Sequence, residues 1–157
     1  MSYEIRSILY ASDLSPRSPT VFRHAVGMAM KFNARLHAVT VTLPSSSLPY
    51  EEFLSEQTMD EIKLAGHKKA EALLQHRIKV FAEANPEYDV DSVLASVRAL
   101  EGDASRRILD VAKHVLADVI ILGSRGHSTL GELLLGSVAS KVTMKADVPV
   151  LLVPIDR

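Results

Sequence analysis

The chain has no cysteine, which removes disulfides, thiolate metal centres and cysteine nucleophiles together. It also lacks any charge excess. Eighteen basic and nineteen acidic residues leave a formal net charge of −1, so no global field favours DNA, RNA or an acidic membrane, and an anion site has to be built locally. No apolar run approaches the roughly 20 residues of a membrane span. The first residues, Met1-Ser2-Tyr3-Glu4-Ile5-Arg6, lack the unbroken apolar stretch of a secretory signal. The expectation is a soluble, cytoplasmic protein with no membrane insertion and no nucleic-acid partner.

Several catalytic and nucleotide-binding signatures are missing as well. No lysine precedes a serine or threonine, which excludes the phosphate loop of P-loop enzymes, and no G-x-G-x-x-G occurs. Neither is there a Gly-x-Ser-x-Gly elbow, or a histidine placed by sequence near both a serine and an acid. His127 and Ser128 are adjacent, and adjacent residues do not normally face each other. His24, His37, His67, His76 and His114 are scattered without metal-type pairing. No catalytic residue and no side-chain metal site is assigned.

What is present is enough for one core. With 157 residues, 47% apolar and 24% charged, the chain is expected to form a single α/β domain over 1–157. An apolar strand, Ser7-Ile8-Leu9-Tyr10-Ala11, runs into the turn Ser12-Asp13-Leu14-Ser15-Pro16. Ser18-Pro19 reads as an N-cap with proline at the first helical position, and Val21, Ala25, Met28, Ala29 and Phe32 follow at helical spacing. Residues 36–43 alternate as a second strand, and the proline-bounded stretch 44–49 breaks regular structure. Between 57 and 84, apolar residues at steps of three or four predict a long amphipathic helix interrupted by Gly66.

Asn85-Pro86-Glu87 ends that helix, and 90–97 reads as a partly exposed edge strand. Gly102-Asp103 opens another helix with Asp103 as N-cap and Ile108, Val111, Ala112 and Val115 as its buried stripe. Residues 118–122 form a fourth strand, 137–146 a last helix and 148–153 a fifth strand. This alternation favours a doubly wound, mostly parallel sheet with helices on both faces. In such sheets ligands sit beyond the strand C-terminal ends where the strand order reverses.

One segment carries most of the functional signal: Gly123-Ser124-Arg125-Gly126, then nine residues from His127 to Leu135, then Gly136-Ser137. Glycines let backbone N–H groups approach an anion, and the helix that follows adds unpaired donors and a favourable dipole. The segment is a candidate triphosphate cradle. Arg125, His127 and Lys141 could offset phosphate charge against the single acid Glu132. Asp13, just after the first strand, could bond its own turn or accept a hydrogen bond from a base or ribose.

These pieces together resemble the universal stress protein family over nearly the whole chain. The residues that carry the resemblance are 8–15, Gly102-Asp103, 117–126, 134–138 and 148–153. The resemblance implies a five-stranded parallel sheet in the order 3-2-1-4-5. Within the family, an ATP-binding branch resembles this chain in having G-x2-G-x9-G-[S/T], here Gly123, Gly126, Gly136 and Ser137.

The resemblance therefore implies an ATP site. It puts Asp13 and the Val41 backbone near adenine, Gly102 and Leu122 near ribose and base, and Gly123, Arg125, Gly126, Gly136, Ser137 and Val138 around the phosphates. Ala11 and Ser12 complete the candidate set, and any Mg2+ would ride on the phosphates. The resemblance further implies a homodimer through strand 148–153 and a nucleotide-dependent regulator in stress response. The alternatives are a slow ATPase or phosphotransferase and a nucleotide-free dimeric interaction module. One departure stands out: the resemblance implies that many ATP-binding members carry a hydroxyl residue two positions after the serine, whereas this chain has Ala139 followed by Ser140.

Overall fold

The computed structural model describes residues 2–42, 56–124 and 135–155, with 56–65 described as backbone only. Ten elements follow in order. They are β1 (Ser7–Ser12), α1 (Ser18–Phe32), β2 (Arg35–Thr42), α2 (Glu56–Ala84), α3 (Val90–Val93), β3 (Leu94–Glu101), α4 (Ala104–His114), β4 (Val119–Gly123), α5 (Ser137–Lys145) and β5 (Val150–Val153). The strands form one five-stranded sheet in the order β3-β2-β1-β4-β5, every neighbouring pair parallel.

Strand alternation explains how the helices sort to the two faces. Ile8 and Tyr10 of β1, Leu36 and Ala38 of β2, and Val119 and Ile121 of β4 pack with α1 and α2. The residues between them, Leu9, Val39, Ile120 and Leu122, pack instead with α4 and α5. Burial of both faces is what a parallel sheet requires. On the first side the aromatic rings form a chain, Tyr10 to Phe22 to Phe81 to Tyr88, with centroid separations of 5.2, 5.0 and 5.5 Å.

Several expected boundaries move, each for a local reason. Ser18 is not the N-cap of α1: Arg17 holds that place without a side-chain hydrogen bond, and Ser18 is already helical and buried. The third strand starts at Leu94 rather than at 90, because Val90–Val93 forms a short helix whose cap, Asp89, accepts from the Ser92 amide. Gly66 does not interrupt α2, which runs unbroken from Glu56 to Ala84. The fifth strand starts at Val150, not 148. Pro149 has no N–H to offer the sheet, though its carbonyl accepts from the Ile120 amide at 3.0 Å.

The third strand also runs on to Glu101 rather than ending at 97, and Val115, expected in the buried stripe of the fourth helix, is its half-buried C-cap. Asp103 caps α4 by accepting from the Arg106 amide at 3.0 Å, and β3 lies at one edge of the sheet. The stretch expected as a surface loop, 44–49, lies outside the described residues.

Candidate functional site

A cavity of about 590 Å³ opens beyond the C-terminal ends of β1, β2 and β4. That is the reversal point of the strand order, since β1 has β2 on one side and β4 on the other. The volume falls within the range of small-molecule and cofactor sites. Its walls come from three places: the end of β1 and its turn (Tyr10 to Leu14), the end of β2 (Val39 to Thr42), and the approach of β4 to α5 (Leu122, Gly123 and Gly136 to Ala139). Ala104 and Ile108 of α4 contribute from the second face.

Two of these walls are held by hydrogen bonds made just beyond the strand ends. Ser12 Oγ accepts from the Leu14 amide at 3.1 Å, and Asp13 Oδ1 accepts from the Ser15 amide at 2.9 Å. Together they stabilise Leu14 in the left-handed region at φ 59°, a conformation uncommon for a side-chain-bearing residue. At the third wall the Ser124 amide donates to Val153 O at 3.0 Å, and the Gly136 amide donates to Ser124 O at 2.8 Å. These two bonds bring Gly123 and Gly136 together across the intervening residues.

Helix α5 begins against the cavity. Gly136 is its N-cap and supplies no side chain to the first turn, and no acid lies in that turn. The leading amides of a helix have no intrahelical acceptor, so Ser137, Val138 and Ala139 present donors and the positive end of a helix dipole there. Ala139 is 2% exposed in the core with Val142 while also lining the cavity. Where a serine or threonine would add a hydroxyl, this chain has a methyl group.

Of the residues singled out from sequence, Ala11, Ser12, Asp13, Val41, Leu122, Gly123, Gly136, Ser137 and Val138 line this one cavity. Gly102 is not among the lining residues. It sits at φ 133°, donates its amide to Thr42 O at 3.0 Å, and has Arg107 Nε 3.1 Å from where a Cβ would stand. It turns the chain from β3 into α4 beside the cavity. Arg125 and Gly126, with His127 and Glu132, lie outside the described residues.

The sequence of the Universal stress protein family matches residues 4–154 of this chain. The chain belongs to that family. Among individual universal stress proteins, YxiE of Bacillus subtilis is 31% identical over 150 residues, spanning 93% of this chain and 97% of its own. Among solved structures, the universal stress protein UspA from Lactobacillus plantarum superposes with a TM-score of 0.76 at 24% identity, covering 97% of this chain and 99% of that one. Another universal stress protein, solved in complex with cAMP, matches with a TM-score of 0.61 at 20% identity, covering 98% of this chain and all of its own (100%).

For this universal stress protein, sequence reasoning missed part of the wall. Tyr10, Leu14, Val39, Thr40 and Ile155 line the cavity without having been singled out. Strand alternation could have offered Val39, which shares a face with Val41, whereas Ile155 reaches the cavity because β5 runs parallel to β4 and its C-terminal end opens on the same side of the sheet.

Tyr10 is 2% exposed and donates its hydroxyl to Ser18 O at 3.4 Å. Burial pushes its ionisation up to about 12, against the opposing pull of its bonds to Ser12 and Ser18. The Asp103 carboxyl, fully at the surface, is held below its ordinary range by the Arg106 amide and the Ser105 hydroxyl. Among the described residues no group of three or more His, Asp or Glu side chains could hold a metal ion, and no helix is long and apolar enough to cross a membrane.

Proposed function

We propose that this universal stress protein binds ATP in the cavity at the β1/β4 reversal point and acts as a nucleotide-dependent regulator in stress response. The observation that carries the reading is the pairing, in one cavity, of an aliphatic wall with a helix start that no side chain caps. Val39, Val41, Ile108 and Leu122 suit the faces of a purine, and the leading amides of α5 suit phosphate oxygens. Asp13, its Oδ1 fixed by the Ser15 amide, supplies an acceptor on the wall nearest the base. The spacing Gly123, Gly126, Gly136, Ser137 adds support from the sequence. So does the cAMP complex of another family member, as a case of an adenine nucleotide held on this fold.

Regulation requires that ATP favour one of two states of the protein by differential affinity. The state we propose it biases is a homodimer formed through the 148–153 strand. β5 is an edge strand whose Val150, Leu151 and Leu152 are only half-buried. Mg2+ would travel with the phosphates, which Ser137 and the α5 amides would face. The proposal is one of binding, and phosphate release measured in the same samples is its control.

Equilibrium dialysis of the purified protein against labelled ATP tests it. Saturable binding is expected, weakened by roughly tenfold or more in Asp13→Ala, which removes a charged acceptor. An absence of binding at millimolar ATP overturns the reading.

A further inference from the structure

We infer that Arg77, far from the cavity in sequence and absent from its lining, is a positioning residue that sets adenine affinity by holding the Asp13 turn. The inference rests on the nucleotide reading above. Its geometric basis is a single reach across the fold. From α2, Arg77 Nη1 donates to Ser15 O at 2.6 Å, a contact between residues 62 apart in the chain. The same carbonyl accepts from the Ser18 amide at 3.1 Å. Ser15 in turn donates its amide to Asp13 Oδ1, so the guanidinium acts two bonds away from the carboxylate on the cavity wall.

The turn needs an external hold. Helix α1 has no side-chain cap and no acid in its first turn, and Leu14 is in the left-handed region. The Ser15 hydroxyl is buried and makes no hydrogen bond among the described residues, which leaves the carbonyl as the point where this residue is tied to the rest of the fold.

Arg77 is well placed to serve. It stands between Leu74 and Ile78, which are 1% and 6% exposed, so the helix that delivers it is packed firmly on the sheet. A second, small chamber lies between α2 and the turn. Arg77 lines it together with Tyr10, Ser12 and Ser18, and those last three also line the main cavity. The two spaces thus share a wall, and Arg77 braces that wall from behind. Arginine suits the task because its guanidinium stays charged and its planar fork loses little freedom per bond formed.

Calorimetric titration of the full chain with ATP and, separately, with tripolyphosphate, in wild type, Arg77→Met and Arg77→Lys, tests the inference. Arg77→Met is expected to weaken ATP binding roughly tenfold, the loss of one charge-assisted bond, and to leave tripolyphosphate binding unchanged. Arg77→Lys, which keeps a donor, is expected to fall between. Equal ATP affinity in Arg77→Met and wild type overturns the inference, as does an equal fall for ATP and tripolyphosphate, which would report a general loss of fold.

Amide hydrogen exchange on the same variants gives a readout independent of nucleotide. Faster exchange at Ser15 and Ser18 in Arg77→Met, with Phe22 unchanged, supports the brace, and unchanged exchange at both overturns it. If wild type itself binds no ATP, the nucleotide reading fails and the exchange result decides the brace alone.

Discussion

Strands β1 and β4 lie side by side, and their two ends are treated in opposite ways. At the N-terminal end, Asp118 Oδ2 accepts from the amides of Arg6 and Ser7 at 2.8 and 3.0 Å. The Asp118 amide returns a bond to Ser7 O at 2.8 Å, and Ser7 Oγ donates to Val115 O at 2.8 Å. That end is closed by the chain on itself. At the C-terminal end the turn after β1 bonds to itself, Ser124 after β4 bonds to Val153 and Gly136, and the cavity opens beyond both strand ends. One carboxylate seals the lower end and another, Asp13, lines the upper one. The comparison teaches that an acid just before or after a strand takes its role from which end of a parallel sheet it occupies.

Four measurements would break or sharpen that contrast. The largest effect is expected from Asp118→Ala, which strips the acceptor from two backbone amides at the closed end. It should cost about 3 kcal/mol of stability in urea unfolding, with ATP affinity unchanged; a loss of affinity without a loss of stability would reverse the assigned roles. Next is Gly102→Ala, at φ 133°, where an L side chain is strained and meets Arg107. It should cost about 2 kcal/mol, read in the same unfolding assay.

The third concerns Tyr10, under the open end. Its folded-state pKa is raised from 10.0 to about 12, so the unfolded chain loses its proton first. The stability it contributes is present below pH 10 and lost as pH rises toward 12, a change on the order of 2 kcal/mol. Tyr10→Phe should flatten that alkaline limb.

The smallest effect belongs to His37, lower on the sheet, where Nδ1 lies 2.7 Å from Ser96 Oγ. Burial, with Arg35 and His114 adding to it, holds its pKa below the ordinary histidine value. The unfolded chain therefore takes up the proton first as pH falls, and stability declines below the ordinary histidine range. His37→Asn should remove that slope, measured as urea midpoints at neutral and mildly acidic pH.

Much of the fold could be read from periodicity because both faces of each central strand are buried, which leaves an unbroken apolar run such as Val119 to Leu122. The edges were harder. Val90 and Val93 lie three apart, the spacing of a helical turn, and Asp89 caps it, but the apolar stretch from Leu94 follows without a break and draws the strand reading back over them. For the site, the glycine spacing pointed to Gly123 and Gly136, and the Ser124 bonds explain why they meet. Gly102 illustrates the converse, a residue read as a ligand neighbour whose visible constraint is its backbone angle. Arg77 had no signal at all, because a side chain reaching across 62 residues leaves no local pattern.

The central claim is that the open end of the sheet receives the nucleotide and the closed end does not. Amide chemical-shift mapping of the labelled protein during titration with ATP addresses it directly. The account predicts saturable shifts at Ser12, Asp13, Val41 and residues 136–139, with Arg6, Ser7 and Asp118 unmoved. Saturating ATP that shifts none of the cavity amides, or that shifts the Asp118 end instead, would contradict it.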